Sequence, residues 1–353
     1  MTGTAAARQN AATPARADLP RLGFLGVGWI GRHRMEAIAR SGAAEIAALV
    51  DPSVDGLTAA RAAAPGAAVL DSFDAMLAAD LDGVVIATPS ALHAEQSVRA
   101  LERGLAVFCQ KPLGRTAAET RRVVDAARAA NRLLGVDLSY RYVTGARMIR
   151  DLIQDGALGR IYAADLVFHN AYGPDKAWFY DAALSGGGCL IDLGIHLVDL
   201  ALWTLGHPPV TGASSRLFHH GQPVSNRSDA VEDYAVGRLD LADGGVIRMA
   251  CSWNLPAGRE AVIEAAFHGT RGGAVLRNVD GSFYDFAAER HHGTAREVLC
   301  TPPDDWGGRA AVDWAGRLAA GATFDDEAEQ VVEAAQVLDR LYGGGEIGWE
   351  EAE

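Results

Sequence analysis

The sequence predicts an α/β protein: a doubly wound parallel sheet in the N-terminal part, then a second domain with a sheet of its own. Three observations carry this. Short apolar runs alternate with amphipathic segments as far as residue 137, the motif Gly26-Val-Gly-Trp-Ile-Gly31 stands at the first such junction, and beyond residue 137 strand-like runs dominate.

The apolar runs at residues 22–26, 44–50, 83–87, 105–109 and 133–136 are compact enough for buried parallel strands. Between them, segments 30–41, 54–64, 91–103 and 117–131 place apolar residues at helical spacing, and Gly42 and Gly104 stand where C-terminal caps belong. After Asp137 a helical signal persists over 147–154. Strand-like runs follow at 161–169, 210–217, 234–241, 245–253, 261–267 and 274–276. The run Gly186-Gly-Gly188 leads into a helix expected over 189–205, and an amphipathic helix over 325–341 closes the chain against one of the domains. The expected division is a disordered leader (1–20), a Rossmann domain (21–137), a substrate and oligomerisation domain (138–324) and a C-terminal helix and tail (325–353).

Composition narrows the classes. A chain of 353 residues exceeds what one core serves, which fits two domains. A net charge of −13 argues against a nucleic-acid partner, which needs a concentrated basic face. The four cysteines, 109, 189, 251 and 300, form no C-x-x-C pair, so reduced thiols and a cytoplasmic location are expected. Residues 1–20 lack the apolar core of a signal peptide, and no uninterrupted apolar stretch approaches the length of a membrane span.

In a chain with 40 glycines a lone G-x-G-x-x-G is weak, and its setting strengthens it. It follows an apolar strand and opens a helix. Gly26 can then make the tight turn, Gly28 can admit a pyrophosphate, Gly31 can let helix and strand pack, and Trp29 and Ile30 flank the phosphate site. Asp51 ends the second strand about 20 residues on, where a carboxylate accepts the ribose hydroxyls of NAD and repels the 2′-phosphate of NADP. Arg32 and Arg34 leave NADP open. The competing reading is a plain turn, with Asp51 capping ahead of Pro52. Thr88 and Pro89, at the carboxyl edge of the next strand, either line the nicotinamide side or start a loop, and His93 reads as a surface or packing residue.

Lys111 also follows a strand at a carboxyl edge, with Pro112 holding it out of helical geometry. The alternative is a solvated surface lysine. Asp192 and His196 stand four apart, on one helical face that Asp199 continues. An imidazole there can take a hydroxyl proton while the carboxylate fixes its tautomer, or the pair is structural. No H-E-x-x-H motif or cysteine cluster supports metal binding by Asp192, His196 and His169, so no metal is expected.

At these residues the chain resembles the Gfo/Idh/MocA family, relatives of glucose-fructose oxidoreductase and inositol dehydrogenase. The likeness runs from about residue 21 to about 343 and rests on Gly26–Gly31, Thr88-Pro89 with His93, Gln110-Lys-Pro112, and the stretch from Gly186 to His196. It implies a Rossmann domain followed by an α/β domain with an open, mostly antiparallel sheet whose exposed face mediates a homo-oligomer, dimer or tetramer. It also implies NAD(P)-dependent oxidation or reduction of a sugar, cyclitol or related polyol. On this likeness Lys111 hydrogen-bonds the reacting oxygen, Asp192 orients substrate and base, His196 moves the hydroxyl proton, Gln110 and Lys111 border the cofactor, and the bond before Pro112 is often cis. Arg141, His169, Asn170, Tyr172 and Trp178 resemble the family's variable substrate wall, although each aromatic singly could be a core residue. Gln110 replaces the family's usual glutamate, which removes a negative charge beside Lys111 and favours the neutral amine. Two other classes stay open: a redox-neutral glycoside hydrolase using tightly bound NAD, and a non-enzymatic NAD/sugar sensor. Retention of Lys111, Asp192 and His196 together argues against the sensor.

Overall fold

The computed structural model describes residues 19–224 and 230–343. Positions 1–18 of the expected leader and the tail beyond 343 lie outside the described residues. The N-terminal sheet contains β1 (Arg21–Leu25), β2 (Glu45–Val50), β3 (Ala68–Val69), β4 (Gly83–Ile86), β5 (Ala106–Cys109) and β6 (Leu134–Val136). All pair in parallel, in the order β3-β2-β1-β4-β5-β6. Helices cover both faces, so the central strands are apolar and buried throughout, with Leu22, Phe24, Val84, Val85 and Ile86 fully enclosed. The short, exposed β3 carries no such run and was not anticipated. Strand order reverses between β1 and β4, which opens a crevice at their carboxyl ends. The glycine loop, Thr88 and Lys111 all lie beyond these ends, of β1, β4 and β5 respectively.

The second sheet has nine strands: β7 (Ile161–Asn170), β8 (Val210–His219), β9 (Gln222–Val224), β10 (Tyr234–Leu241), β11 (Val246–Ser252), β12 (Ala261–Gly269), β13 (Gly272–Asn278), β14 (Phe286–His292) and β15 (Ala295–Cys300). Their order is β15-β14-β13-β12-β7-β11-β10-β8-β9, antiparallel apart from the parallel pair β7 and β11. Alternate residues such as Ala164, Leu166 and Phe168 point into a core shared with the helices Thr144–Gln154, Ile195–Leu205 and Glu329–Tyr342, and the other face is open. Strands β9, β14 and β15 were not anticipated: β9 has three residues, β14 is interrupted by charged and histidine residues, and the edge strand β15 is exposed over its first four residues, with only the short run Val298–Cys300 apolar.

Two C-terminal elements cross the expected boundaries. Helix Arg309–Ala319 falls within the 138–324 span, yet it packs into the Rossmann core, with the Trp314 ring 5.7 Å from Phe108. The last helix serves both domains: Val332 joins the Rossmann core, while Val337, Leu338 and Leu341 enter that of the second. Segment Ala182–Leu205 is apolar enough to cross a membrane, but 83% of its window is buried inside the protein, as in a core helix.

Candidate active site

The nucleotide half follows from sterics. Gly26 has a left-handed φ of 89°, and a Cβ on it would lie 2.6 Å from the Ala87 carbonyl oxygen; one on Gly31 would lie 2.2 Å from that of Gly26. Both must therefore be glycine. A Cβ on Gly28 would meet nothing within 4 Å, so the space above it is open. Helix Trp29–Ser41 begins there with no side-chain cap, leaving backbone N–H groups for an anion. The Asp51 carboxylate accepts the Val27 and Ser53 backbone N–H groups, each at 2.7 Å, which fixes it beside the loop. Arg34 is unavailable to a 2′-phosphate: it is buried and donates to Asp137 at 2.6 Å. Arg32 faces Glu36 at 3.6 Å. The glycine cradle, uncapped helix and fixed acid together fit NAD.

The chemical half is built where β5 meets the glycine-rich helix. The Lys111–Pro112 bond is cis, and Lys111 Nζ donates to the Asp192 carboxylate at 2.6 Å and to its backbone carbonyl at 2.7 Å. Trp253 Nε1 donates to the other carboxylate oxygen at 3.1 Å. The expected pairing of Asp192 with His196 does not form. Residues Leu190–Gly194 make a π-helical turn, which breaks the α-helical spacing that would stack i over i+4, and Asp192 faces Lys111 and Trp253 instead. His196 packs against the Tyr140 ring at 4.9 Å. Burial, reinforced by the charges of Lys111 and Arg34, holds its pKa well below the ordinary range and keeps the imidazole neutral.

Glu232, which sequence reading missed, holds this turn from below. Its buried carboxylate accepts the Gly188 and Leu190 N–H groups at 2.9 Å and the Tyr342 hydroxyl at 2.8 Å, and the Tyr342 oxygen accepts Ile191 N–H at 3.1 Å. Burial pushes the Glu232 carboxyl up against the pull of these donors. Gly188 is obligatory, since a Cβ there would lie 1.9 Å from the Glu232 carbonyl oxygen.

The charge expected to be missing at Gln110 is supplied nearby. Gln110 Nε2 donates to Asp137, a carboxylate 1% exposed that also accepts from Arg34 and, at 2.8 Å, from Ser139 Oγ. Residue 110 is thus neutral because its neighbour is the anion. His93 is buried rather than on the surface, lodged between the carbonyl oxygens of Thr88 at 2.6 Å and Pro112 at 2.7 Å. Burial lowers its pKa, so the neutral imidazole donates to one of these carbonyls and packs against the other, wedged between the β4 loop and the Lys111 loop.

One cavity of about 500 Å³ gathers Lys111, Asp192 and His196 with Gly28, Trp29, Ile30, Thr88, Pro89, Gln110 and Trp178. Four residues of the expected substrate wall stand outside it. Arg141 forms a buried ion pair with Asp199 at 2.5 Å, because the 3-10 turn Ser139–Tyr142 aims Tyr140 at the cavity in its place. His169 bonds Ser252 at 2.8 Å and stacks on Tyr234. Asn170 ends β7 with its amide oxygen buried, and Tyr172 leans on Phe283 from the rim. Tyr140, Phe179, Phe283, Tyr284 and Trp306 line the cavity instead. The last three come from regions whose strands were not seen in the sequence.

Comparisons with known proteins match both domains. Residues 21–138 match the GFO/IDH/MocA oxidoreductase family with an NAD-binding Rossmann fold, and residues 146–275 match the GFO/IDH/MocA C-terminal domain. The chain is 29% identical to D-glucoside 3-dehydrogenase of Escherichia coli, over 66% of this chain and 69% of that one. It is 32% identical to the rhizopine catabolism protein MocA of Rhizobium meliloti, over 67% and 73% respectively. The fold matches that of GenD2 from gentamicin A biosynthesis, solved in complex with NAD, with a TM-score of 0.77, 23% identity, and 95% and 96% of the two chains covered.

Proposed function

The chain belongs to the GFO/IDH/MocA family of NAD-binding oxidoreductases, and on that premise we propose that it oxidises or reduces a carbon bearing a hydroxyl or keto group in a sugar, cyclitol or related polyol. The observation that carries this is the convergence of Lys111, Asp192 and His196 in the same cavity as the glycine loop. Bound nicotinamide supplies the hydride acceptor or donor. The backbone at Gly28 and the start of helix Trp29–Ser41 take the pyrophosphate, and Asp51 takes the ribose hydroxyls. Lys111, paired with Asp192, presents its ammonium to the reacting oxygen and stabilises negative charge as it develops. His196, held neutral, takes the hydroxyl proton in oxidation and returns it in reduction. Asp192 fixes Lys111 from one side, and Trp253 fixes Asp192 from the other.

Self-association belongs, in this reading, on the open face of the second sheet, where Val167, Val236, Ala250 and Ala266 are half-buried with no covering helix among the described residues. The free cysteines support a reducing, cytoplasmic setting. The test is to strip the protein of nucleotide, add NAD and follow NADH absorbance against free sugars, inositols and glycosides. NADH formed with one class supports the proposal and identifies the substrate; glycoside cleavage without net NADH moves the protein to redox-neutral hydrolysis.

A further inference from the structure

The charge and aromatic content of the cavity narrow the substrate beyond the reading above, on which this inference rests. Two of the three cations along the wall are held by carboxylates away from bulk water, Lys111 by Asp192 and Arg34 by Asp137, while the exposed Lys176 makes only a surface pair with Asp175 at 3.0 Å. A nucleotide sugar or sugar phosphate needs unpaired cationic donors for its phosphates. Of the three, Arg34 is buried in its pair and Lys111 is committed to the reacting oxygen, so the exposed Lys176 alone could meet a phosphate, one cation where a diphosphate needs several.

Aromatic rings line the substrate-domain side of the cavity. Trp178 and Phe179 stack with centroids 3.8 Å apart, Phe283 and Tyr284 face the cavity from the loop before β14, and Trp306 fixes Tyr284 by donating from Nε1 to its carbonyl at 2.8 Å. Tyr172 packs on Phe283 at 6.0 Å and extends the patch outward. Tyr172 and Tyr284 remain 51% and 48% exposed. Large apolar side chains left in water beside a catalytic cavity mark a surface that binding covers. A single sugar or cyclitol ring can stack on one of these aromatics, and a patch of several rings has room for a second, apolar ring beside it.

We propose that the substrate is a neutral glycoside with an apolar, planar aglycone, its sugar ring held at Lys111 and His196 and its aglycone lying on Phe283 and Tyr284. Ring-on-ring contact of this kind makes an aryl glycoside bind about tenfold tighter than the methyl glycoside of the same sugar.

The test is calorimetry on the NAD-loaded protein with phenyl and methyl glycosides paired across several sugars, and UDP-glucose as the anionic comparator, with NADH followed in parallel. The expected result is a phenyl preference of about tenfold that Tyr284→Ala, at an exposed position, reduces about threefold. Equal affinities, tightest binding of UDP-glucose, or binding of none of these probes would overturn the inference. NADH formation with equal phenyl and methyl affinities sinks the aglycone site while leaving hydride transfer standing. Tight phenyl binding with no NADH does the reverse.

Discussion

Restoring the family's glutamate by Gln110→Glu is expected to destabilise this protein, because the anion it would reinstate is already present as Asp137. In the structure Gln110 donates its amide N–H to Asp137, with a single guanidinium, Arg34, to balance that carboxylate. The substitution replaces a donor with a second carboxylate at hydrogen-bond distance in a buried setting, where two such groups share one proton. An ordinary glutamate carboxyl titrates near pH 4.3, and retaining its proton costs about 1.4 kcal/mol per pH unit above that. The loss is therefore about 1 kcal/mol near pH 5 and about 4 kcal/mol near pH 7.5. The sign follows from a carboxyl raised in the folded state: the penalty is absent below the unfolded value and grows as pH rises toward the folded one. Urea unfolding of variant and parent at the two pH values measures the difference, and Gln110→Glu with Asp137→Asn should recover most of it. A stability loss that is the same at both pH values would refute the shared-proton argument.

Other consequences follow from the same geometry. His196→Ala should lower turnover by about 10²–10⁴ while leaving NAD affinity intact. Because the His196 pKa is lowered, kcat/KM in the parent should hold as pH falls through about 6.5, and an acid limb centred there would contradict the assignment. Trp253→Phe removes the indole donor to Asp192 and should cost about tenfold in kcat, measured with the best substrate of the NADH screen. Gly188→Ala forces a Cβ against the Glu232 carbonyl and should cost more than about 3 kcal/mol, read from urea unfolding or from loss of soluble protein. His93, His169 and His196 all have lowered pKa values, so their stabilising contribution is complete above about pH 6.5 and is lost as pH falls; the urea midpoint should drop on acidification.

The sequence by itself determined the Rossmann half and its crevice, and it singled out Lys111, Asp192 and His196 as candidates. Parallel strands buried on both faces leave long apolar runs, and a glycine forced by a 2.2 Å backbone approach, as at Gly31, is visible as a letter at a fixed offset. Lys111, Asp192 and His196 were legible because their motifs sit beside such backbone constraints. The tertiary structure decided what touches what. The π-helical turn sends Asp192 to Lys111 and Trp253, a relation that α-helical spacing could not anticipate. It also decided that Tyr140 rather than Arg141 faces the cavity, since a one-residue difference in a short 3-10 turn exchanges a buried ion pair for a cavity wall. Asp137 answers for Gln110 across 27 residues of chain, and Glu232 holds the π turn from 42 residues beyond Leu190. Such pairings depend on which strand ends meet in space, and strand order is set by packing of whole layers rather than by any local run of residues.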